Sequence, residues 1–96
     1  MAVDRLLLDK RDEILEIAKR HGAYNVRVFG SMARGEATPD SDVDLLVDVL
    51  PEHSPWFPGG LLTDLEKALG RRVEVAEPEA LHWYIRGRVL AEAVPL

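Results

Sequence analysis

The chain has 96 residues, 47% of them hydrophobic, which suffices for one domain (residues 1–96) with a modest core and leaves no room for a second domain. Its 17 acidic residues outnumber 12 scattered basic ones and give a formal net charge of −5, so direct binding to nucleic acid is not expected. There is no cysteine, which excludes disulfides and thiolate metal sites and fits a cytoplasmic protein. The apolar run near the start is too short and too soon charged for a signal peptide or a membrane span.

An amphipathic helix and a strand are predicted for the first 30 residues. From Asp4 to about His21, apolar residues recur on one helical stripe, and Gly22 is placed to end the helix. The stretch NVRVFG alternates and is rich in β-branched and aromatic residues, so a strand is predicted from Val26 to Phe29, ending at Gly30. The buried stripe of the helix should consist of Leu7, Leu8, Ile14, Leu15 and Ala18.

A short helical turn is expected from Ser31 to Arg34, followed by the turn-forming stretch GEATPDS. A second strand is predicted from Val43 to Val49, because every second residue in it is apolar. The segment LPEHSPWFPGG carries three prolines and two glycines and predicts a loop. In this loop, Trp56 and Phe57 would be either core residues or exposed anchors for a partner.

A helix, a third strand and a final helix are predicted for the remainder. Apolar residues from Leu61 to Leu69 mark a helix that Gly70 closes, and RRVEVAE has the alternation of a strand. Pro78 is placed to open the final helix. The order of elements predicts a small sheet covered by helices, an α/β or α+β domain, whose sheet is either mixed or antiparallel. The inner residues of the final helix should be Leu81, Tyr84, Ile85, Val89 and Leu90.

Two carboxylates stand at the start of the second strand. Asp42 and Asp44 are two residues apart, and such residues point to the same face of a strand, roughly 6 to 7 Å apart. Charge at the mouth of an apolar strand is costly unless something compensates it. A divalent cation that prefers oxygen ligands, above all Mg²⁺, would do so and would take water and phosphate oxygens as further ligands. From the spacing alone, a solvated strand edge is the alternative.

The residues just upstream would suit a phosphate group. A strand that ends at Gly30 and is followed by Ser31 and the start of a helix exposes backbone N–H groups and a hydroxyl where an anion is favoured. An ordinary capped turn is the alternative for both residues. Arg34 would either face the phosphates or pair with an acid. Two adjacent strands joined by a tight turn would bring this phosphate cradle next to the paired aspartates.

Together these residues resemble a known family. The stretch GSMARGEATPDSDVDLLV is similar to the G-S-x-x-R-G … S-D-x-D-L-x-V signature of the nucleotidyltransferases of the DNA polymerase β superfamily, in their minimal form. The signature is specific, because a Gly-Ser turn, an Arg-Gly pair and paired aspartates coincide in order and spacing. The resemblance spans nearly the whole chain and implies the nucleotidyltransferase fold, a small mixed β-sheet flanked by helices.

The resemblance also implies roles for single residues. Gly30 and Ser31, with Arg34, would hold a nucleoside triphosphate. Asp42 and Asp44 would be catalytic residues that bind the metal, two Mg²⁺ ions in such sites. ATP would be the nucleotide donor.

The third carboxylate of such sites lies on the next strand, where this chain has VEV and minimal members of the family have VDL. Glu74 takes this position, and it would bind the metal and accept the proton of the attacking hydroxyl. Its side chain is one methylene longer than that of aspartate, about 1.5 Å. A misplacement of about 1 Å can cost on the order of 10²-fold in rate.

The family implies transfer of AMP from ATP to an acceptor hydroxyl with release of pyrophosphate. Minimal members are typically paired with a helical HEPN-domain partner, an RNase-like toxin, so the resemblance implies an antitoxin that modifies a tyrosine of this toxin within a homo- or hetero-oligomer. One alternative is a non-catalytic module that masks the same partner. Another is transfer to a small-molecule hydroxyl, although aminoglycoside-modifying relatives carry an additional substrate domain.

Overall fold

A computed structural model of the chain describes residues 4–51 and 57–96. It confirms the predicted combination of a small sheet with helices. The helices are α1 (Arg5–Asp9), α2 (Arg11–Arg20), α3 (Ser31–Arg34), α4 (Gly59–Leu69), one turn of 3₁₀ helix (Pro78–Ala80) and α5 (Trp83–Glu92). The strands are β1 (Ala23–Phe29), β2 (Val43–Val49), β3 (Val73–Ala76) and β4 (Val94–Pro95). Within the described ranges no helix has both the length and the apolar character needed to cross a bilayer.

The four strands form one sheet in the order β3-β2-β1-β4. β1 runs antiparallel to β2 and to β4, whereas β2 and β3 are parallel and are connected through helix α4. The sheet is therefore mixed, which the order of elements alone left open. The register places Asp44 of β2 between Phe29 of β1 and Glu74 of β3. Two of the predicted carboxylates thus lie on neighbouring strands.

The prediction of one continuous helix from Asp4 to His21 is wrong. Two helices, α1 and α2, meet at Lys10, whose φ of −103° and ψ of 10° fall outside the helical region. Leu7 and Ile14 are fully buried as predicted, whereas Leu8 is 50% exposed. The break changes the direction of the chain, so the single stripe predicted for a straight helix does not hold at Leu8.

The core lies between one face of the sheet and the helices α2 and α4, which also pack against each other. Alternate residues of β2 face this core, as its apolar alternation predicts. Leu46 is fully buried as well, on the opposite face of β2, which it shares with Asp44. The middle of β2, next to Asp44, is thus buried on both faces. The largest buried core side chains are Leu7, Ile14, Val28, Met32, Val43, Leu45, Val47, Leu61 and Leu65.

The final helix does not begin at Pro78 as predicted. Pro78 opens only one turn of 3₁₀ helix, and the chain is extended at Leu81 (φ −71°, ψ 140°) before α5 begins. This interruption changes which residues of α5 face inward. Val89 is buried as predicted, but Tyr84 is 66% exposed and Leu90 is 41% exposed.

The short strand β4 was not predicted. It pairs antiparallel with Arg27 and Val28 of β1, and the N–H of Leu96 donates a hydrogen bond to the carbonyl oxygen of Val26 (2.9 Å). Because β4 follows α5 almost directly, this pairing holds the end of α5 beside β1.

The predicted loop from Leu50 to Gly60 is described only in part. Residues 52–56, which include Trp56, lie outside the described residues. Phe57 is half-buried and packs against the core, which agrees with the first of its two predicted roles. Helix α4 begins at Gly59, inside the predicted loop.

Candidate active site

Three predicted carboxylates meet at one end of the β2–β3 pair. Asp42 directly precedes β2, and Asp44 is the second residue of that strand; both are half-buried. Glu74 lies opposite Asp44 on the parallel strand β3 and is exposed. Glu74 of the neighbouring strand therefore adds a third acid to the predicted pair of Asp42 and Asp44.

Among these three acids, a change in pKa is resolved for Asp44. The pKa of Asp44 is raised from 3.8 to about 6, first by burial and then by the negative charges of Glu74 and Asp42 and a hydrogen bond with Glu74. In the described part of the chain, none of the three acids forms an ion pair with a basic side chain. The site therefore carries negative charge that a proton or a bound cation would compensate.

Gly30 lies directly against the carboxylate of Asp44. Its φ of 74° and ψ of −156° fall in a region that is essentially restricted to glycine. A Cβ atom added at this position would overlap Oδ2 of Asp44. The Gly-Ser turn that was predicted to hold phosphate is therefore next to the carboxylates that were predicted to hold metal.

Ser31 begins helix α3, as the sequence predicted. The carbonyl oxygen of Gly30 accepts hydrogen bonds from the N–H groups of Ala33 (3.0 Å) and Arg34 (3.2 Å), which closes the turn. The hydroxyl of Ser31 forms no hydrogen bond with any other described residue. It is therefore free to bind a ligand at this turn.

Arg34 forms ion pairs, the second of the two roles predicted for it. Its Nε donates to Glu36 (2.7 Å) and its Nη1 donates to Oε1 of Glu92 (2.5 Å). Hydrogen bonds to Glu36 and to Glu92 raise the pKa of the guanidinium. Oε1 of Glu92 also accepts the backbone N–H of Gly30 (3.0 Å). The carboxylate of Glu92 thus accepts hydrogen bonds from both Gly30 and Arg34, which were predicted to bind phosphate. Contact of these two residues with phosphate stays a prediction.

A cleft of about 690 Å³ opens beside this turn. Gly30 and Arg34 lie on one wall, while Ile85, Arg88 and Glu92 of α5 lie on the other. Its volume falls in the range typical of small-molecule sites, roughly 300 to 1,000 Å³. Sequence reasoning missed Arg88 and Glu92; the only available signal was their spacing of four residues, which puts both on one face of a helix.

Asp48, near the other end of β2, differs from Asp44 in having partners that compensate its charge. It accepts hydrogen bonds from Nη2 of Arg27 (3.0 Å) and from Nδ2 of Asn25 (2.9 Å). Its charge is therefore compensated by the protein. Asp44 lies four residues earlier on the same face, with Leu46 between the two acids, and its carboxylate has no such partner among the described residues.

The donor set at Asp44 suits a hard divalent cation. Mg²⁺ is normally held by one or two carboxylates, with water and substrate phosphates as its remaining ligands. Asp42, Asp44 and Glu74 offer oxygen donors and uncompensated charge in one place. Across residues 4–51 and 57–96, no group of three or more His, Cys, Asp or Glu side chains is arranged to hold a metal ion. An ion held by one or two of these carboxylates would need water or phosphate oxygens as its further ligands.

The close approach at Gly30 can be tested by comparing two glycines. Gly70 also has a positive φ (66°), but nothing lies within 4 Å of a Cβ added there, so Gly70→Ala should cost only the backbone term of about 1 kcal/mol. Gly30→Ala adds a collision with Asp44 and a glycine-only conformation, so it should lose at least about 2 kcal/mol in urea unfolding. Equal losses in the two variants would contradict the contact.

The charge at Asp44 should lower the stability of the metal-free protein at neutral pH. Since folding raises the pKa of Asp44 to about 6, its contribution to stability is complete below pH 3.8 and is lost as the pH rises through about 6. We therefore expect Asp44→Asn to increase the free energy of unfolding near pH 8 by on the order of 1 kcal/mol, after allowance for solvent screening. The gain should disappear toward pH 3.8.

Asp40→Asn is the matched control for this experiment, because Asp40 is an exposed acid in the preceding turn. It should change stability by less than about 0.5 kcal/mol at either pH. An Asp44→Asn variant that is no more stable than the wild type near pH 8 in a chelator would refute the argument.

Comparison with known proteins places the chain in a family. Residues 11–96 match the nucleotidyltransferase domain family. The chain is 38% identical over 96 residues to protein adenylyltransferase MntA of Thermococcus cleftensis, covering 93% of this chain and 95% of that protein. It resembles a solved structure described as a minimal nucleotidyltransferase, with a TM-score of 0.82, 44% identity and coverage of 94% of this chain and 92% of the other. It also shares the fold of a chain in the crystal structure of a toxin-antitoxin with AMP-PNP (TM-score 0.74, 17% identity, covering 88% of this chain and 69% of that one). The chain belongs to the nucleotidyltransferase domain family, as its signature predicted.

Proposed function

We propose that this protein transfers AMP from ATP to a protein hydroxyl, a tyrosine of a HEPN-domain RNase toxin, and thereby acts as an antitoxin. The observation that supports the proposal is the contact of Gly30 with the carboxylate of Asp44, because a turn that would suit phosphate then lies beside acids that would suit a cation. The similarity to a protein adenylyltransferase supports the class of reaction. The fold shared with a chain of a toxin-antitoxin with AMP-PNP supports the classes of nucleotide and partner.

In this reaction, the acceptor oxygen attacks the α-phosphorus of ATP, and pyrophosphate leaves from the opposite side. Gly30, which has no side chain, would let the triphosphate approach closely, and the hydroxyl of Ser31 would hold it so that the breaking bond lies in line with the attacking oxygen. Asp42, Asp44 and Glu74 would hold Mg²⁺, two ions in the full site. When bound, Mg²⁺ neutralises phosphate charge and favours ionisation of the acceptor hydroxyl.

Glu74 is the proposed acceptor of the hydroxyl proton. It lies opposite Asp44 in the sheet register, but it is exposed, whereas Asp44 is half-buried against Gly30. A hydroxyl that belongs to another protein can approach an exposed carboxylate more easily than a half-buried one. Glu74 therefore suits proton transfer from an acceptor that docks from outside.

A protein acceptor also agrees with the surface beside the cleft. Trp83 and Tyr84 at the start of α5 are 79% and 66% exposed, and their ring centroids are 5.8 Å apart in an edge-on arrangement. Exposed aromatic pairs of this kind are typical anchors of protein interfaces. The toxin would pack on this part of α5 and complete the walls of the cleft, so transfer to any other hydroxyl should be poor in its absence.

A non-catalytic antitoxin that masks the same toxin is the second candidate. The observation that favours it is the longer side chain of Glu74 at the third carboxylate position, together with the exposed aromatic pair of α5. A masking protein needs the aromatic surface but not the paired aspartates, so the two candidates can be separated experimentally.

We expect the toxin to carry a covalent mark after treatment with this protein. The protein would be mixed with a candidate HEPN-type toxin, Mg²⁺ and labelled ATP, and then removed before the mass and RNase activity of the toxin are measured. An enzyme leaves a toxin that is heavier by AMP on tyrosine and stays inactive. Asp42→Asn and Asp44→Asn should lower transfer on the order of 10²-fold or more, and Asp40→Asn should not.

The masking function predicts the opposite pattern. The separated toxin would be unmodified and would regain its activity, and Asp42→Asn would protect as well as the wild type. That result would exclude the proposed transfer.

Substitutions at Glu74 test its role as proton acceptor. Glu74→Gln should lower turnover on the order of 10²-fold while the Kd for ATP changes within about threefold, because the main nucleotide contacts come from Gly30, Ser31 and the aspartates. Glu74→Asp measures the effect of side-chain length, and a rise in rate would show that the extra methylene is a handicap. Glu79→Gln, an exposed acid of the 3₁₀ helix, is the control. Unchanged turnover in Glu74→Gln would remove this residue from the mechanism.

A further inference from the structure

The cleft beside the Gly-Ser turn contains an arginine without a partner. Arg88 lies on the α5 wall of the cleft and is exposed. Within residues 4–51 and 57–96, its guanidinium takes part in no hydrogen bond or ion pair. The other arginine of the cleft, Arg34, is engaged by two carboxylates. Arg88 is therefore the cation of this cleft that is available to a ligand.

The group around Arg34 does not attract an anion by itself. One positive charge on Arg34 faces two negative charges, on Glu36 and Glu92, within hydrogen-bond distance. The net charge of this group is negative, and Glu92 also takes the N–H of Gly30. A phosphate chain that reaches from the turn into the cleft therefore needs a further cation, and Arg88 stands on the facing wall.

The position of Arg88 follows from the way α5 is held. Arg88 and Glu92 are one helical turn apart and share a face with Ile85. Glu92 accepts hydrogen bonds from Gly30 and Arg34, and these bonds orient this face toward the Gly-Ser turn. The pairing of β4 with β1 secures the end of the helix. The side of α5 that carries Arg88 therefore forms the cleft wall.

We propose that Arg88 binds the terminal phosphates of the nucleoside triphosphate. This inference rests on the proposed function and adds to it a binding residue outside the Gly-Ser and paired-aspartate signature. A guanidinium offers planar, paired N–H donors that match phosphate oxygens. Because AMP lacks the terminal phosphates, Arg88 should discriminate between a triphosphate and a monophosphate.

Binding measurements with two nucleotides test the assignment. The Kd values of AMP-PNP and AMP would be measured by calorimetry with the full chain and Mg²⁺. Arg88→Gln should weaken AMP-PNP binding about tenfold and AMP binding by less than about twofold. Arg88→Lys keeps the charge but loses the paired donors, so it should recover only part of the affinity.

Arg20→Gln is the matched control. Arg20 ends helix α2 before the start of β1, at the opposite end of that strand from Gly30, and is exposed. It should bind both nucleotides as the wild type does. Thermal unfolding of each variant shows whether a loss of affinity comes from a loss of folded protein.

Each remaining outcome overturns a specific statement. Wild-type affinity for AMP-PNP in Arg88→Gln, or an equal loss for AMP and AMP-PNP, would refute the role of Arg88 while leaving the proposed transfer intact. A wild-type chain that binds neither nucleotide and leaves the toxin unmarked would instead overturn the proposed function, and this inference with it.

Discussion

The contact between Gly30 and the carboxylate of Asp44 is the constraint on which the candidate active site depends. Because β1 and β2 are antiparallel, the end of one strand lies beside the start of the other, and the turn after Phe29 meets the acids that open β2. The parallel strand β3 then adds Glu74 at the same level. The three strands thus place the turn at Gly30 and the acids Asp44 and Glu74 at one end of the sheet. The absence of a side chain at Gly30 permits this arrangement.

The electrostatics at Asp44 differ from those at two other acids, Asp48 and Glu92. Asp48 is paired with Arg27, and Glu92 is paired with Arg34. The carboxyl group of Asp44 instead interacts with other acids, and its raised pKa is the result. An arrangement that costs stability in the free protein is typical of a functional site, since a ligand of opposite charge restores the balance.

Local sequence signals predicted the parts of the fold that depend on neighbouring residues. The bounds of β2 and α3 and the end of α4 at Gly70 were predicted correctly, because alternation and glycine act within a few residues. The break at Lys10, the extended residue Leu81 and strand β4 could not be predicted, because packing against distant segments decides them. The acids of the signature could be predicted because Asp42 and Asp44 are close together in sequence. The part of the cleft that α5 contributes could not, because it is distant in sequence from Gly30.

Pro95 has a consequence for how the molecule associates with others. β4 is an outer strand of the sheet, and proline has no N–H to offer to an additional strand. This flank is therefore protected against edge-to-edge pairing, the route by which exposed strands form cross-β aggregates. A second protein that approaches from this side finds no N–H at Pro95 with which to extend the sheet.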